Sequence, residues 1–145
     1  MRTHALRNGD LDLIGDRFAM VEGAARVQQQ LGLCMREVWG IDRFHPGWGS
    51  VMPNWIGGVI SGPDLSMDLR NEVLRIVRNY MTSTTDAINR RANRGLRPVV
   101  TANEIITNVS NVVIRQSQDQ IFVRVVLATA SASEFSLIIN PGGAG

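Results

Sequence analysis

Hydrophobic and polar residues alternate over a short stretch near the start of the chain. In the segment DLDL, residues 10–13, Asp alternates with Leu, and Gly15-Asp16 separates this segment from RFAMVEG. An alternation with a period of two, interrupted by a turn dipeptide, is typical of a β-hairpin. The pattern therefore predicts a short hairpin at the start of the domain.

The period changes to that of a helix from Ala24 to Val38. The polar residues, Gln28, Gln29, Arg36 and Glu37 among them, fall on the other side of the same helix. Apolar residues three to four positions apart predict an amphipathic helix, and Gly40 follows it as a stop. The predicted apolar face consists of Val27, Leu31, Cys34 and Val38.

The stretch after the loop is Gly-rich and interrupted by Pro53, so it allows at most a brief helix. A longer helical pattern starts after SGPD. Asp64 or Ser66 is placed to cap this second helix. The Thr-rich segment TSTT predicts a kink or break near its middle, and Gly95 and Pro98 mark its end. The apolar stripe consists of Leu65, Leu69, Val73, Ile76, Val77, Tyr80, Thr84, Ala87 and Ile88.

After Pro98 the sequence becomes rich in β-branched residues. EIITNVSNVVI, QIFVRVVLATA and EFSLIIN are separated by RQSQDQ and TASAS, which predicts an antiparallel three-stranded meander. In the middle strand, one face is predicted to carry Ile121, Val123, Val125 and Leu127 and the other Arg124 and Ala128. The fold class is α+β, with residues 1–145 as a single domain and 1–9 and 141–145 as flexible tails.

Composition and charge exclude several classes of protein. The chain has 145 residues, a net charge of +2, one cysteine and no lysine. One cysteine permits no intramolecular disulfide, and we expect neither a signal peptide nor a membrane span. The weak net charge gives little indication of a nucleic-acid partner.

The loop WGIDRFHPGWGS, residues 39–50, is the part of the chain richest in reactive residue types. Asp42, His45 and Ser50 resemble the members of a catalytic triad, but GWGS lacks the strained turn that presents a nucleophilic serine. His4, His45 and Cys34 lack the paired spacing of metal ligands, so we expect no metal and no cofactor. A glycosidase would need two cooperating carboxylates, and the candidates are Glu22, Glu37, Asp42, Glu72 and Glu104.

The segment NRRANRGLR forms a basic patch, which consists of Arg90, Arg91, Arg94 and Arg97. Arginine suits phosphate contacts, but the aromatic residues that stack on bases are absent here. The simpler interpretation is that these cations complement the carboxyl end of the second helix. Docking on an acidic protein partner is another use.

The order of these parts resembles that of the baseplate wedge family of contractile phage tails, the sheath initiators historically labelled lysozyme-like. The hairpin, the helix with VQQQL, the loop GIDRFHPGWGS, the long helix and the Pro-marked meander follow one another as in that family. The family has an acidic-Pro-Arg motif before the meander, whereas this chain has GLRPVV. The Pro is matched by Pro98, the acidic residue is missing, and Arg97 precedes the Pro.

The resemblance implies a structural role and a fold similar to the handshake domain of the tail sheath subunit. It implies a virion protein that is assembled in the bacterial cytoplasm, with six copies around the tail axis. Its partners would be the sheath protein and other wedge proteins. We expect no enzymatic activity, no membrane partner and no nucleic-acid partner. A muramidase and a nucleic-acid adaptor that uses the basic patch are the alternatives.

The expected interaction residues lie in the meander and in the basic patch. We expect the sheet to accept strands from the first ring of sheath subunits, because an open sheet edge offers unpaired backbone groups. The basic patch would orient acidic partner groups. The strand residues are Val109, Val112, Ile114, Phe135, Leu137 and Ile139. The loop is expected to be a rigid connector with both Trp side chains buried, built on Trp39, Arg43, Pro46, Trp48 and Gly49.

Overall fold

Two helices pack against one face of a three-stranded antiparallel sheet, and a cluster of short strands precedes them. A computed structural model describes residues 1–7, 10–55, 63–117 and 120–139. This layout is the α+β fold that the sequence predicts.

Three short chain segments at the N-terminus pair with one another in a ring. β1 (Thr3–His4) pairs with β6 (Met20–Val21), β2 (Leu6–Arg7) with β3 (Asp10–Leu11), and β4 (Leu13–Ile14) with β5 (Arg17–Phe18). At the centre, backbone N–H groups donate from Ala5 to Ala19, from Ala19 to Asp12 and from Asp12 to Ala5, at 2.7 to 2.9 Å.

The pairing of β4 with β5 across Gly15-Asp16 confirms the predicted hairpin. Residues 3–7, which belong to the segment predicted as a flexible tail, contribute β1 and β2 to this ring of strands. The side chain of Gln29 also holds them, because its amide accepts from the N–H of Leu6 and donates to the carbonyl of His4. The remainder of both predicted tails, residues 8–9 and 141–145, lies outside the described residues.

The first helix, α1, spans Gly23–Arg36 and ends earlier than its apolar pattern predicts. Glu37 is extended, and Val38 forms an isolated parallel bridge with Ser50. The prediction that Val38 belongs to the buried helical face is therefore wrong. Val27, Leu31 and Cys34 are buried as expected.

The second helix, α2, spans Pro63–Ala92 without a break. Proline suits the first turn of a helix, where its missing N–H has no intrahelical acceptor. The helix continues through TSTT without the break that the sequence allows, and the hydroxyl of Thr85 donates to the carbonyl of Met81 within this stretch. Beyond the helix, Gly95 adopts a φ of 69° and the N–H of Leu96 donates back to the carbonyl of Arg91. This is a helix end of the kind that glycine favours.

The C-terminal meander consists of β7 (Ile106–Ser117), β8 (Gln120–Thr129) and β9 (Glu134–Ile139), with β8 in the centre. The β7–β8 register shifts twice, between residues 106 and 108 and between 109 and 111, whereas β8–β9 pairing has no shift. Val123, Val125 and Leu127 of β8 are fully buried, as the alternation predicts. The side chain of Ile121 lies outside the described part of the chain.

The core lies between the two helices and the inner face of the sheet. Met52, from the short 3-10 helix Met52–Trp55, closes one side of it. This brief helix is the one that the sequence allows between the two main helices. The buried core residues of α2 are Leu69, Val73, Ile76 and Val77. Farther along α2 the stripe is only half-buried, at Tyr80, Thr84, Ala87 and Ile88.

Candidate functional site

The loop between α1 and α2 is closed at a narrow neck. The N–H of Ser50 donates to the carbonyl of Glu37 at 2.8 Å, and the N–H of Trp39 donates to the carbonyl of Ser50 at 3.1 Å. Gly49 lies at this neck with a φ of 96°. A Cβ atom there would lie 2.7 Å from the carbonyl oxygen of Val38 and 2.8 Å from Cα of Trp39. The neck therefore requires glycine for both conformation and space.

Two charged residues of α2 form hydrogen bonds to the backbone at the neck of this loop. The carboxylate of Glu72 accepts from the N–H of Val51 at 3.0 Å and from two guanidinium nitrogens of Arg75 at 2.7 and 2.8 Å. Arg75 also donates to the carbonyl of Gly49 at 2.8 Å. Burial would raise the pKa of Glu72, but hydrogen bonds from Arg75 and Val51 outweigh burial and lower it. Glu72 therefore stays ionised and holds both Arg75 and the loop backbone.

The two tryptophans of the loop differ in burial. Trp48 is half-buried against the core, and its indole N–H donates to the carboxylate of Glu37. Trp39 is 49% exposed, so the prediction that it is largely buried is wrong. Its ring lies against the guanidinium of Arg75, and its N–H donates to the carbonyl of Pro46 at 3.0 Å. Trp39 lies beyond the last residue of α1, and its ring is held by the Arg75 cation and by the hydrogen bond to Pro46.

The structure brings together only two members of the candidate triad. The Nδ1 atom of His45 lies 2.9 Å from a carboxylate oxygen of Asp42. The other carboxylate oxygen accepts from the N–H of Phe44. Both hydrogen bonds lower the pKa of Asp42, and the bond from His45 has the larger effect. Ser50 is fully buried, and its hydroxyl accepts from the N–H of Met52 at 2.9 Å. The Asp42–His45 pair therefore belongs to an exposed turn, whereas the hydroxyl of Ser50 is buried at the neck and binds the backbone of Met52.

The rest of the loop presents side chains to solvent. Arg43 and Pro46, which the resemblance marks as structural, are exposed. Ile41 and Phe44 are also exposed, Phe44 to 84%. The loop thus presents two large apolar side chains to solvent.

The five candidate carboxylates each have hydrogen-bond or ion-pair partners of their own. Glu22 is exposed beside Arg2, and Glu37 binds the indole of Trp48. The pKa is lowered for each of the three in which a shift is resolved, Asp42, Glu72 and Glu104.

Glu104 is a fully buried carboxylate that joins distant parts of the fold. It accepts from the N–H of Thr101 at 2.8 Å, from the amino group of Met1 at 3.1 Å and from the N–H of Gly23 at 3.2 Å. The guanidinium of Arg26 lies 3.5 Å away. Sequence reasoning treated Glu104 only as one of five carboxylates, although TANE matches the capping-box pattern that makes such a residue structural.

The hydrogen-bond pattern shows which backbone groups lie at the open edges of the sheet. The N–H of Thr129 donates to the carbonyl of Ser133, immediately before β9. Because hydrogen-bonded pairs alternate along an antiparallel ladder, Phe135, Leu137 and Ile139 direct their backbone groups inward to β8. The outward-facing groups of β9 consequently belong to Glu134, Ser136 and Ile138.

The same alternation applies to β7. Residues of β8 whose backbone groups do not bond to β9 bond to β7. Val112 and Ile114 are paired with β8 residues that bond to β9, so these two residues direct their own backbone groups away from the sheet. No other strand in the described ranges pairs with the outer edge of β7 or of β9.

The side chains of the expected strand-binding residues face the core. Val112 and Leu137 are buried, and Val109, Ile114 and Phe135 pack against the core while only partly buried. Any partner contact at these positions would use the backbone. Ile139 lies in β9, but its side chain lies outside the described part of the chain.

The outer face of the sheet carries exposed apolar groups around Arg124. Val113 and Ile138 lie beside Arg124 on its two flanks, and Ile138 is 67% exposed. Phe122 lies on the same face. The guanidinium of Arg124 donates to the hydroxyl of Ser136 at 2.9 Å.

The basic patch lies at the carboxyl end of α2. Arg90, Arg94 and Arg97 are exposed, and Arg91 is half-buried. The Nε atom of Arg91 donates to the carbonyl of Arg97 at 2.8 Å, which ties the chain after the helix back to its last turn. Arg91 thus has a structural contact, whereas the other three present their charges to solvent.

Within the described ranges, no group of three His, Cys, Asp or Glu side chains is arranged to hold a metal ion. None of the described helices has the length and apolar character needed to cross a lipid bilayer. Comparison with known families, curated proteins and solved structures found no match for this chain.

Proposed function

We propose that this chain is a structural wedge protein in the baseplate of a contractile phage tail and that it templates the first sheath ring by strand addition. The observation that carries the proposal is a three-stranded sheet whose two outer strands have unpaired outward-facing backbone groups in the described part of the chain. The element order, with its Gly-rich braced loop between two helices, agrees with the resemblance.

The β9 edge is the better acceptor for a sheath strand. β9 pairs with β8 in unbroken register, whereas β7 contains two irregularities in its first half. Bulges are one of the ways in which proteins protect an edge from pairing. A regular edge offers an added strand evenly placed donors and acceptors, here at Glu134, Ser136 and Ile138.

The surroundings of β9 suit an added strand. The exposed side chain of Ile138, on β9 itself, would lie beside a strand added at this edge and would lose part of its apolar exposure. Backbone pairing supplies affinity in strand addition, and side-chain contacts supply specificity. The exposed Arg90, Arg94 and Arg97 would orient acidic groups of the partner, and the loop side chains Ile41 and Phe44 would contact other wedge proteins.

A proline substitution at an outward-facing position of β9 tests the proposal. Ser136→Pro removes an N–H that points away from β8, so the monomer should remain folded. We expect this variant to lose the ability to nucleate polymers of the cognate sheath protein, as seen by electron microscopy. Ser136→Ala, which keeps the N–H, is the matched control. Normal nucleation by folded Ser136→Pro would contradict pairing at β9.

A further inference from the structure

A cavity separate from the sheet lies between α1, α2 and the loop. Its volume is about 490 Å³, within the range of cavities that hold small ligands. None of the residues that line it belongs to β7, β8 or β9. Its apolar lining includes Leu31, Trp48, Ile76, Ala87 and Val100.

One permanently charged side chain, that of Arg26, lines this largely apolar space. Its side chain is 7% exposed, and its Nε atom has no hydrogen-bond partner among the described residues. A guanidinium has five N–H donors, and a buried one is costly unless an anion and acceptors surround it. Arg26 is therefore a buried cation with an N–H group that lacks a hydrogen-bond acceptor among the described residues.

The one carboxylate paired with Arg26 in the described structure is shared with other donors. Glu104 lies 3.5 Å from the guanidinium, the longest of its contacts, and accepts from Thr101 and from the amino group of Met1 at shorter distances. These competing donors leave Glu104 a poor counterion for Arg26. An added anion at the cavity would complete the charge balance. A monoanion fits better than a dianion because the negative charge of Glu104 is close by.

Neutral polar groups also line this cavity. Burial, the largest influence, raises the pKa of Tyr80, although the charge of Arg26 opposes this, so its hydroxyl remains protonated. The hydroxyl donates to the carbonyl of Glu104 at 3.1 Å. Gln30, Asn79 and Thr84 add amide and hydroxyl groups to the lining. A few polar groups on an apolar wall orient a ligand that has both characters.

We propose that this cavity binds a carboxylate carried on an apolar group, with the carboxylate on Arg26 and the apolar part against Leu31, Ile76 and Ala87. Two sources carry this chemistry, namely a free small carboxylic acid and an acidic side chain within an apolar peptide segment of a partner. The site is independent of strand addition, so either proposal stands if the other fails.

The test uses two matched pairs of probes and amide chemical shifts of the full chain. The first pair is 4-phenylbutyrate and its neutral amide, and the second is the blocked peptide Leu-Glu-Leu-Phe and its Gln counterpart. We expect saturable shifts in lining residues with at least one carboxylate probe. The neutral counterpart should bind about tenfold more weakly, since a charge-assisted hydrogen bond to Arg26 is lost. The probe pair that binds identifies the source.

Three variants distinguish ligand binding in this cavity from general effects of substitution on the protein. Ala87→Leu fills the cavity from a half-buried position without removing a contact, and it should abolish saturable binding in a folded protein. Arg26→Met should remove the preference for carboxylate over amide, while Arg36→Met, on the exposed side of α1, should leave it intact. The proposal is overturned if neither carboxylate shifts lining residues. Equal binding of amide and carboxylate, or normal binding by Ala87→Leu, would also overturn it.

Discussion

The guanidinium of Arg75 lies 4.6 Å from the centre of the Trp39 ring, although Trp39 is half exposed. Arg75 thereby connects the surface of the loop to the brace beneath it, because the same guanidinium binds Glu72 and the carbonyl of Gly49. This stacked contact holds an aromatic side chain in place on the surface of the molecule.

A double-mutant cycle measures this contact. We expect a coupling of about 0.5 to 1 kcal/mol between Trp39→Leu and Arg75→Met in urea unfolding, as for a cation–π pair at an exposed site. A cycle between Trp39→Leu and Arg78→Met should show no coupling, since Arg78 is exposed elsewhere on α2. Equal coupling in the two cycles would mean that the Trp39–Arg75 contact has no specific energetic role.

Gly49→Ala should destabilise the protein strongly. The added Cβ would meet the backbone of Val38 and Trp39 at less than 3 Å, and the φ of 96° disfavours any side chain. We expect a loss of about 3 kcal/mol in the free energy of unfolding from strain and overpacking. Gly47→Ala, in the same loop with open space around it, is the control and should change stability little. Similar stability of the two variants would show that the neck relaxes at little cost.

Glu72→Ala should release the loop from α2. The substitution leaves Arg75 without its carboxylate and the N–H of Val51 without its acceptor. We expect the free energy of unfolding to fall by about 2 to 3 kcal/mol, together with faster amide exchange at Val51. Asp68→Ala, at an exposed position of α2, should cost less than about 0.5 kcal/mol. Unchanged exchange at Val51 would refute the role of Glu72 as a brace.

The buried carboxylate of Glu104 should make stability depend on pH. Burial, the largest influence, would raise its pKa, but the N–H of Thr101 and the amino group of Met1 outweigh burial and lower it. A lowered folded-state pKa contributes stability that is fully present well above the unfolded-state value of about 4.3 and is lost as pH falls through the folded-state value.

Glu104→Gln tests this linkage. We expect it to lower the free energy of unfolding by about 3 to 5 kcal/mol at pH 7, because the buried donors from Thr101, Gly23 and the amino group of Met1 lose a charged acceptor, and to flatten the decline in stability below pH 5. Glu22→Gln, which affects an exposed ion pair with Arg2, should leave the decline unchanged. An equally steep decline in Glu104→Gln would assign the acid sensitivity to other groups.

Periodicity predicted the elements whose stability comes from a local pattern. The apolar stripe of α2 repeats from Leu65 to Ile88 and the alternation in β8 from Ile121 to Leu127, so the type of each element follows from the sequence. The break that the sequence allows at TSTT is absent because the weak helical propensity of threonine is too small an effect to interrupt a helix of 30 residues. The end of α1 was also misjudged, since Val38 pairs with Ser50 across the loop rather than continuing the helix.

The parts that the sequence did not predict depend on contacts between distant residues. Glu104 binds Gly23 and Arg26, which precede it by 81 and 78 positions. Residues 1–7 are ordered by strands that follow them and by Gln29, and no local pattern marks such pairing. Which backbone groups of β9 face outward depends on strand register, and the register gives Glu134, Ser136 and Ile138.

Amide hydrogen exchange on β9 during sheath assembly tests the central claim most directly. In the isolated protein, the outward-facing amides of Ser136 and Ile138 should exchange faster than the inward-facing amides of Phe135 and Leu137, which bond to β8. On assembly with the cognate sheath protein, strand addition predicts that Ser136 and Ile138 become protected together. Assembly that leaves these two amides exchanging as fast as in the isolated protein would contradict the account.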